Sequence, residues 1–134
     1  MNNKDLISAA LEARGRAYAP YSKFAVGAAL LTKSGRTFRG CNIENVSFRL
    51  TICAEQTALA AALVEGEREF VEIAVVADSK EPVVPCGACR QMLAEFNPSI
   101  KITMSTLDGR SESWSLADLL PRPCQGILES ARDV

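Results

Sequence analysis

The sequence predicts an α/β fold with three layers, helices covering both sides of a mixed central sheet. Three observations carry this. Helix-forming and strand-forming segments alternate along the chain, the first two strand segments are joined by a tight turn, and the later strands are separated by whole helices. The hairpin supplies an antiparallel pair, and the helix crossovers are expected to supply the parallel ones.

Residues 3–17 predict the first helix. Leu6, Ala9, Ala10 and Ala13 share a face, and Asp5 stands near the positive N-terminal end. The segment 18–22 contains Pro20 and ends it. Residues 24–32 are apolar and β-friendly at their ends, residues 33–36 read as a turn, and 37–40 return as a strand, completing the hairpin. Residues 41–52 are polar and irregular and read as a loop. An alanine-rich helix over 53–65 is stopped by Gly66. Residues 71–77 (VEIAVVA) form a buried strand, followed by a polar turn through Pro82. Pro85 leads into a helix over 87–96, stopped by Asn97-Pro98. Residues 100–106 are a strand, Asp108-Gly109 a turn, and 115–120 a short helix. The tail from Pro121 is broken by prolines and has no clear pattern.

The chain of 134 residues predicts a single domain over 1–134. A domain of this size buries roughly two-thirds of its unfolded surface, enough for a core without disulfide staples. Hydrophobic residues at 48% and charged residues at 23% mark a soluble globular chain rather than a disordered one. A net charge of −1 argues against a protein that coats nucleic acid, though not against a small nucleotide or nucleoside ligand. The N-terminus lacks an apolar block and is not expected to be a signal peptide. The longest apolar run, residues 24–31, is too short to span a bilayer.

The chain contains no histidine. That excludes His-based triads, His general bases and any His-ligated metal site. The five cysteines, Cys41, Cys53, Cys86, Cys89 and Cys124, are an odd count without a signal peptide, which fits reduced thiols in the cytoplasm.

Two clusters stand out: Cys53-Ala54-Glu55 and Pro85-Cys86-Gly87-Ala88-Cys89. In each, the leading cysteine falls at a predicted helix N-terminus, where unpaired N–H groups and the helix dipole stabilise a thiolate. Cys86 and Cys89 are spaced to share one side of the first turn. A third thiolate from Cys53 completes three protein ligands for zinc and leaves one position open, as catalytic sites do. Glu55 lies two residues beyond Cys53, placed to reach a metal-bound water and move its proton without binding the metal. A lone CxxC also occurs as a redox pair or as half of a structural zinc site. A four-sulfur site would need Cys41 or Cys124, neither of which has a CxxC mate, and both are read as non-ligands.

With these motifs in hand, the sequence resembles a known family. Residues 24–30 (FAVGAAL), 40–45 (GCNIEN), 51–55 (TICAE), 85–91 (PCGACRQ) and 119–121 (LLP) are similar to the small homotetrameric cytidine deaminases, and the likeness runs from about residue 5 to residue 121. The resemblance implies the cytidine deaminase fold, with Cys53, Cys86 and Cys89 as ligands of a Zn2+ cofactor. It implies that zinc hydroxide attacks C4 of a cytosine ring while Glu55 shuttles protons and ammonia leaves. It further implies that Asn42 and Glu44 bind ribose hydroxyls, that Phe24 lines the base pocket, and that Ala54 is a substrate-binding position. A homotetramer with a nucleoside substrate and a role in pyrimidine salvage follow from the resemblance alone.

Four positions depart from the family pattern. Gln56 stands where the family usually has the Arg that is held to offset the thiolate charge. Phe48 and Arg49 replace a Tyr-Gly pair, so the loop has lost a hydroxyl and gained a cation. Cys124 stands where the family has a Phe that reaches a neighbouring subunit's site. These four are candidate specificity residues. They fit either a roomier pocket of altered charge that takes a modified cytosine nucleoside, or an ordinary deaminase of cytidine and deoxycytidine that has drifted at these positions; Arg49 either replaces the charge that Gln56 withdrew or is a solvated side chain. Arg90 and Gln91 are expected to hold structure, Cys41 to be packed, and Trp114 to be partial core.

Two rival readings remain at this point. A blasticidin-type nucleoside deaminase has the same zinc logic, although the 42–45 segment looks more like the cytidine deaminases. A zinc-stabilised interaction domain would not need the open position or Glu55. Action on polynucleotides is disfavoured by the balanced charge and the lack of a stacking surface, and no membrane partner is expected.

Overall fold

The computed structural model describes residues 3–124 together with Gly126, Leu128 and Ala131. The layers follow from side-chain alternation on the strands. On β1 (Val26–Thr32), Ala28 and Leu30 enter one buried cluster and Ala29 enters the other. On β3 (Phe70–Ala77), Ile73 joins the first cluster, while Ala74 and Val76 join the second. Both faces of these strands are therefore apolar, and helices must cover both.

Helix α1 (Asn3–Arg14) covers the second face through Leu6 and Ala10. Helices α2 (Ala54–Val64), α3 (Gly87–Phe96) and α4 (Leu116–Leu119) cover the first through Ala58, Leu59, Leu93 and Leu116. A fully buried leucine such as Leu59 contributes about 2 kcal/mol of apolar transfer. Phe70 and Phe96 close the far end edge to face, with centroids 5.7 Å apart. The expected α/β/α sandwich is present.

The sheet has five strands in the order β2-β1-β3-β4-β5, with β2 at Thr37–Cys41, β4 at Lys101–Thr106 and β5 at Ser111–Ser115. The expectation that helix crossovers give parallel neighbours holds for β3 and β4 alone. After β2 and α2, the chain enters on the far side of β1, so β3 pairs antiparallel with β1. Because β1 is also antiparallel to β2, the strands β2 and β3 run the same way with β1 between them. The helix crossover is parallel in direction but skips a strand.

The strand β5 was not expected. Its sequence, SESWS, is polar and mostly exposed, and it pairs antiparallel with β4 at the sheet edge. Trp114, expected to be partial core, is 45% exposed there and donates its ring N–H to Glu112. The first helix ends at Arg14 rather than at residue 17, because Gly15 and Arg16 turn back on Glu12 and Ala13. Within the polar 41–52 segment, Phe48–Leu50 form one 3-10 turn. Among the described residues, no helix is long and apolar enough to cross a membrane.

Two glycines allow the layers to meet. A Cβ on Gly27 would lie 1.9 Å from the Ala10 carbonyl oxygen of α1. A Cβ on Gly40 would lie 2.3 Å from the Ala54 carbonyl oxygen at the start of α2. We predict that Gly27→Ala and Gly40→Ala each destabilise the fold by about 3 kcal/mol in denaturant unfolding, because backbone on both sides must move. Gly35→Ala, where the added atom meets nothing and only a φ of +94° is strained, should cost about 1 kcal/mol. Equal costs at all three positions would contradict this packing.

Candidate active site

The site is built where β2 and β3 end. Cys41, the last residue of β2, and Val76, next to last in β3, both pair with Gly27 of β1. The chain leaving β2 reaches Cys53, which caps the N-terminus of α2, and the chain leaving β3 reaches Cys86, which caps α3. Two helix N-termini, each with unpaired N–H groups and positive dipole character, thus meet at one end of the sheet.

Three sulfurs gather there. Sγ of Cys53 and Cys86 are 3.9 Å apart, Sγ of Cys86 and Cys89 are 3.3 Å apart, and all three lie within 4.8 Å of one another. A tetrahedral zinc ion with Zn–S bonds near 2.3 Å separates its sulfurs by about 3.8 Å, so the cluster fits such an ion. Neither Cys41 nor Cys124 joins the group. A hydrogen bond from the Cys89 thiol, against the opposing effect of burial, lowers Cys53 to about 7. The same bond, together with burial and the nearby Glu55, pushes Cys89 up.

Glu55 sits in the first turn of α2 and is 5% exposed. Burial raises its carboxyl pKa, which favours a held proton. It lines a cavity of about 310 Å³ that also receives Cys53, Cys86, Ala54, Phe24, Asn42 and Glu44. Phe24, Asn42, Glu44 and Ala54 therefore share one cavity wall.

Asn42 and Glu44 are both buried on the segment that follows β2. Asn42 is a splint as well as a wall. Its Oδ1 accepts from Val26 N–H (2.9 Å) and its Nδ2 donates to the Phe24 carbonyl (2.8 Å), leaving one amide proton free for a ligand. Glu44 accepts from the main-chain N–H groups of Tyr21 and Ser22 and from the Ser22 hydroxyl. The Ser22 hydroxyl is the main reason its carboxyl lies below the usual range. An aromatic opening a strand is commonly core, but Phe24 is not enclosed. It is 37% exposed and on the cavity wall, because the strand proper begins two residues later at Val26.

Comparison with known proteins identifies this arrangement. Residues 1–105 match the family model described as the cytidine and deoxycytidylate deaminase zinc-binding region. The chain belongs to this deaminase family. A cytidine deaminase of Halalkalibacterium halodurans is 53% identical over 122 residues, covering 90% of this chain and 92% of that protein. The crystal structure of cytidine deaminase from Burkholderia pseudomallei superposes with a TM-score of 0.89 at 49% identity, covering 91% of this chain and 98% of that one. A blasticidin-S deaminase of Bacillus cereus is more distant, 30% identical over 108 residues, covering 75% of this chain and 76% of that protein.

The positions that depart from the deaminase pattern are scattered rather than clustered. Phe48 forms part of the cavity wall. Gln56 is occupied at the helix terminus, its side-chain carbonyl accepting the Cys53 N–H at 3.2 Å. Arg49 is exposed and forms no hydrogen bond or ion pair with any described residue, so no contact within the chain carries the compensation expected of it. Cys124 lies beyond α4, outside the cavity of its own chain. Arg90 and Gln91 do hold structure: they donate to the carbonyls of Leu119 (2.7 Å) and Pro123 (2.9 Å). Cys41 is half-buried rather than fully packed.

Sequence reasoning missed three contributors. Thr57 ties the end of β2 to α2: its hydroxyl accepts the Cys41 N–H (3.0 Å) and faces the carbonyls of Cys41 (2.9 Å) and Ala54 (3.0 Å). Val83 and Val84, between the predicted turn through Pro82 and Pro85, form apolar cavity wall. Ser22 holds Glu44. None has a local signal, because each acts on a segment distant in sequence.

The geometry of the sulfurs generates a direct prediction. Elemental analysis of purified protein should find about one zinc per chain, and Cys53→Ala or Cys89→Ala should remove most of it, while Cys41→Ala and Cys124→Ala leave it unchanged. Retained zinc in the first pair would contradict the three-sulfur site.

Proposed function

We propose that the chain hydrolytically deaminates cytidine and deoxycytidine to the corresponding uridine and ammonia. The observation that carries this is a buried carboxyl, Glu55, facing one cavity with the cysteine cluster on one side and the Asn42–Glu44 pair on the other. Cys53, Cys86 and Cys89 would hold zinc. When bound, the ion supplies Lewis-acid activation of water at near-neutral pH.

The remaining chemistry falls to the chain's own residues. Water adds at C4 of the base, and the amino group departs as ammonia. Glu55 takes the two protons of that water in turn at its carboxylate, passing the first to the ring nitrogen and the second, from the hydroxyl now on C4, to the leaving amine, so that the C4 carbonyl forms as ammonia leaves. Its burial brings its proton affinity closer to that of those groups than an exposed carboxylate's would be. The free Asn42 amide proton and the remaining Glu44 acceptor site hold sugar hydroxyls. Phe24, Val26, Val84 and Phe48 give the base an apolar slot that displaces solvent from the reacting edge.

Further features complete the reading. The five free thiols fit a reducing, cytoplasmic setting and a pyrimidine-salvage role. Val46, Phe48 and Leu50 are 82%, 55% and 64% exposed on one short segment, and a homotetramer would cover them. The cytidine deaminase relatives are closer than the blasticidin-S deaminase, which favours small cytosine nucleosides over the bulkier antibiotic.

The test is a substrate panel followed by loss of cytosine absorbance and by ammonia release, with Glu55→Ala as the blank. Cytidine and deoxycytidine should exceed blasticidin S and other bulky cytosine nucleosides in kcat/KM. A bulky nucleoside outpacing both would overturn the assignment. Glu55→Gln should lower kcat about a thousandfold without removing zinc, since the carboxyl moves protons and is not a ligand.

A further inference from the structure

We propose that Ser22 is a positioning residue of this site, setting Glu44 in the orientation that receives the sugar of the substrate; the inference rests on the nucleoside deaminase reading above. Ser22 lies in the turn between α1 and β1. Its hydroxyl does two things at once. It donates its only proton to Oε2 of Glu44, and it accepts the N–H of Phe24 at 3.0 Å. The main chain of the same turn adds two donors to Oε1 of Glu44, from Tyr21 at 3.0 Å and Ser22 at 3.1 Å. One turn therefore fixes the orientation of the carboxylate and the entry of the Phe24 segment together.

The count of acceptor sites then says what Glu44 can still bind. A carboxylate offers about four lone-pair positions, and three here are filled. The vacant one is on Oε2, in a residue that lines the cavity and is 4% exposed. No ion pair to Glu44 is formed among the described residues. What fits is one neutral donor, such as a sugar hydroxyl. The carboxyl is ionised at neutral pH because the Ser22 hydroxyl and the two N–H groups favour the charged form.

The backbone points the same way. Lys23, between Ser22 and Phe24, has a φ of 60°, a left-handed conformation that costs energy in any residue but glycine. Its N–H is returned to the Ala19 carbonyl at 3.1 Å. Such strain persists where surrounding bonds over-determine it. The Ser22 hydroxyl bridges Lys23 on both sides, through its own Cβ and through the Phe24 N–H.

The experiment uses zinc-loaded enzyme and compares Ser22→Ala, Ser22→Thr, Glu44→Gln and the Ser22→Ala/Glu44→Gln double variant. Ser22→Ala should raise KM for cytidine about ten- to a hundredfold, the range of a lost hydrogen bond to a charged group, with kcat within about threefold. Ser22→Thr, which keeps the hydroxyl, should restore KM to within about threefold of wild type. The double variant should be no worse than Glu44→Gln alone by more than about twofold, because the two residues act as one unit. The competitive Ki of 2′,3′-dideoxycytidine, which lacks the ring hydroxyls, should move by less than about threefold in Ser22→Ala. An unmoved KM in Ser22→Ala, additive losses in the double variant, or an equal loss for the dideoxynucleoside would each overturn the role of Ser22. A wild-type enzyme that turns over no cytosine nucleoside would instead overturn the functional reading.

Discussion

Everything in this molecule depends on the register at the start of β1. Gly27 pairs with the last residue of β2 on one side and with the end of β3 on the other. That single position therefore aligns the carboxyl ends of two strands running the same way. In α/β sheets, ligand sites form beyond the carboxyl ends of strands, where helices begin. Here both following helices begin with a cysteine cap. A slip of one residue on either side would move one cysteine by about 3.3 Å and turn the strand's apolar face to the wrong layer.

The chemistry is a consequence of that alignment. Thiolates are costly to gather, since like charges repel and burial penalises each. Two helix N-termini offset part of this, and the hydrogen bond from Cys89 lets one sulfur ionise ahead of another. The short connection from Cys53 to Glu55 then places a carboxyl beside the sulfurs but inside an apolar cavity, where it prefers its proton. One helix turn thus carries a thiol whose pKa is held down, suited to a metal donor, and a carboxyl whose pKa is held up by burial, suited to moving protons.

Much of this was legible in the sequence, and what was not has physical reasons. Within each cluster the spacing, Cys53 to Glu55 and Cys86 to Cys89, is local, and local geometry at a helix start decides where such side chains go. The layers were legible because residues 71–77 and 24–31 are apolar on both faces. Strand order was not, because nothing in β2 or α2 says on which side of β1 the chain re-enters. The strand β5 was hidden because an exposed edge strand needs no apolar alternation, and SESWS has almost none. Ser22 and Thr57 were hidden because their partners, Glu44 and Cys41, lie far along the chain. Where the family usually has a cation, the Gln56 amide takes up the helix cap, and Arg49 is exposed with no ion pair to a described residue.

The most direct test of the account is X-ray absorption at the zinc edge of the purified, zinc-loaded protein. Three sulfurs at about 2.3 Å and one light oxygen or nitrogen neighbour are the predicted shell. A shell of four sulfurs would make the site structural and closed, and a shell with fewer than three would mean that the helix caps do not converge on one ion.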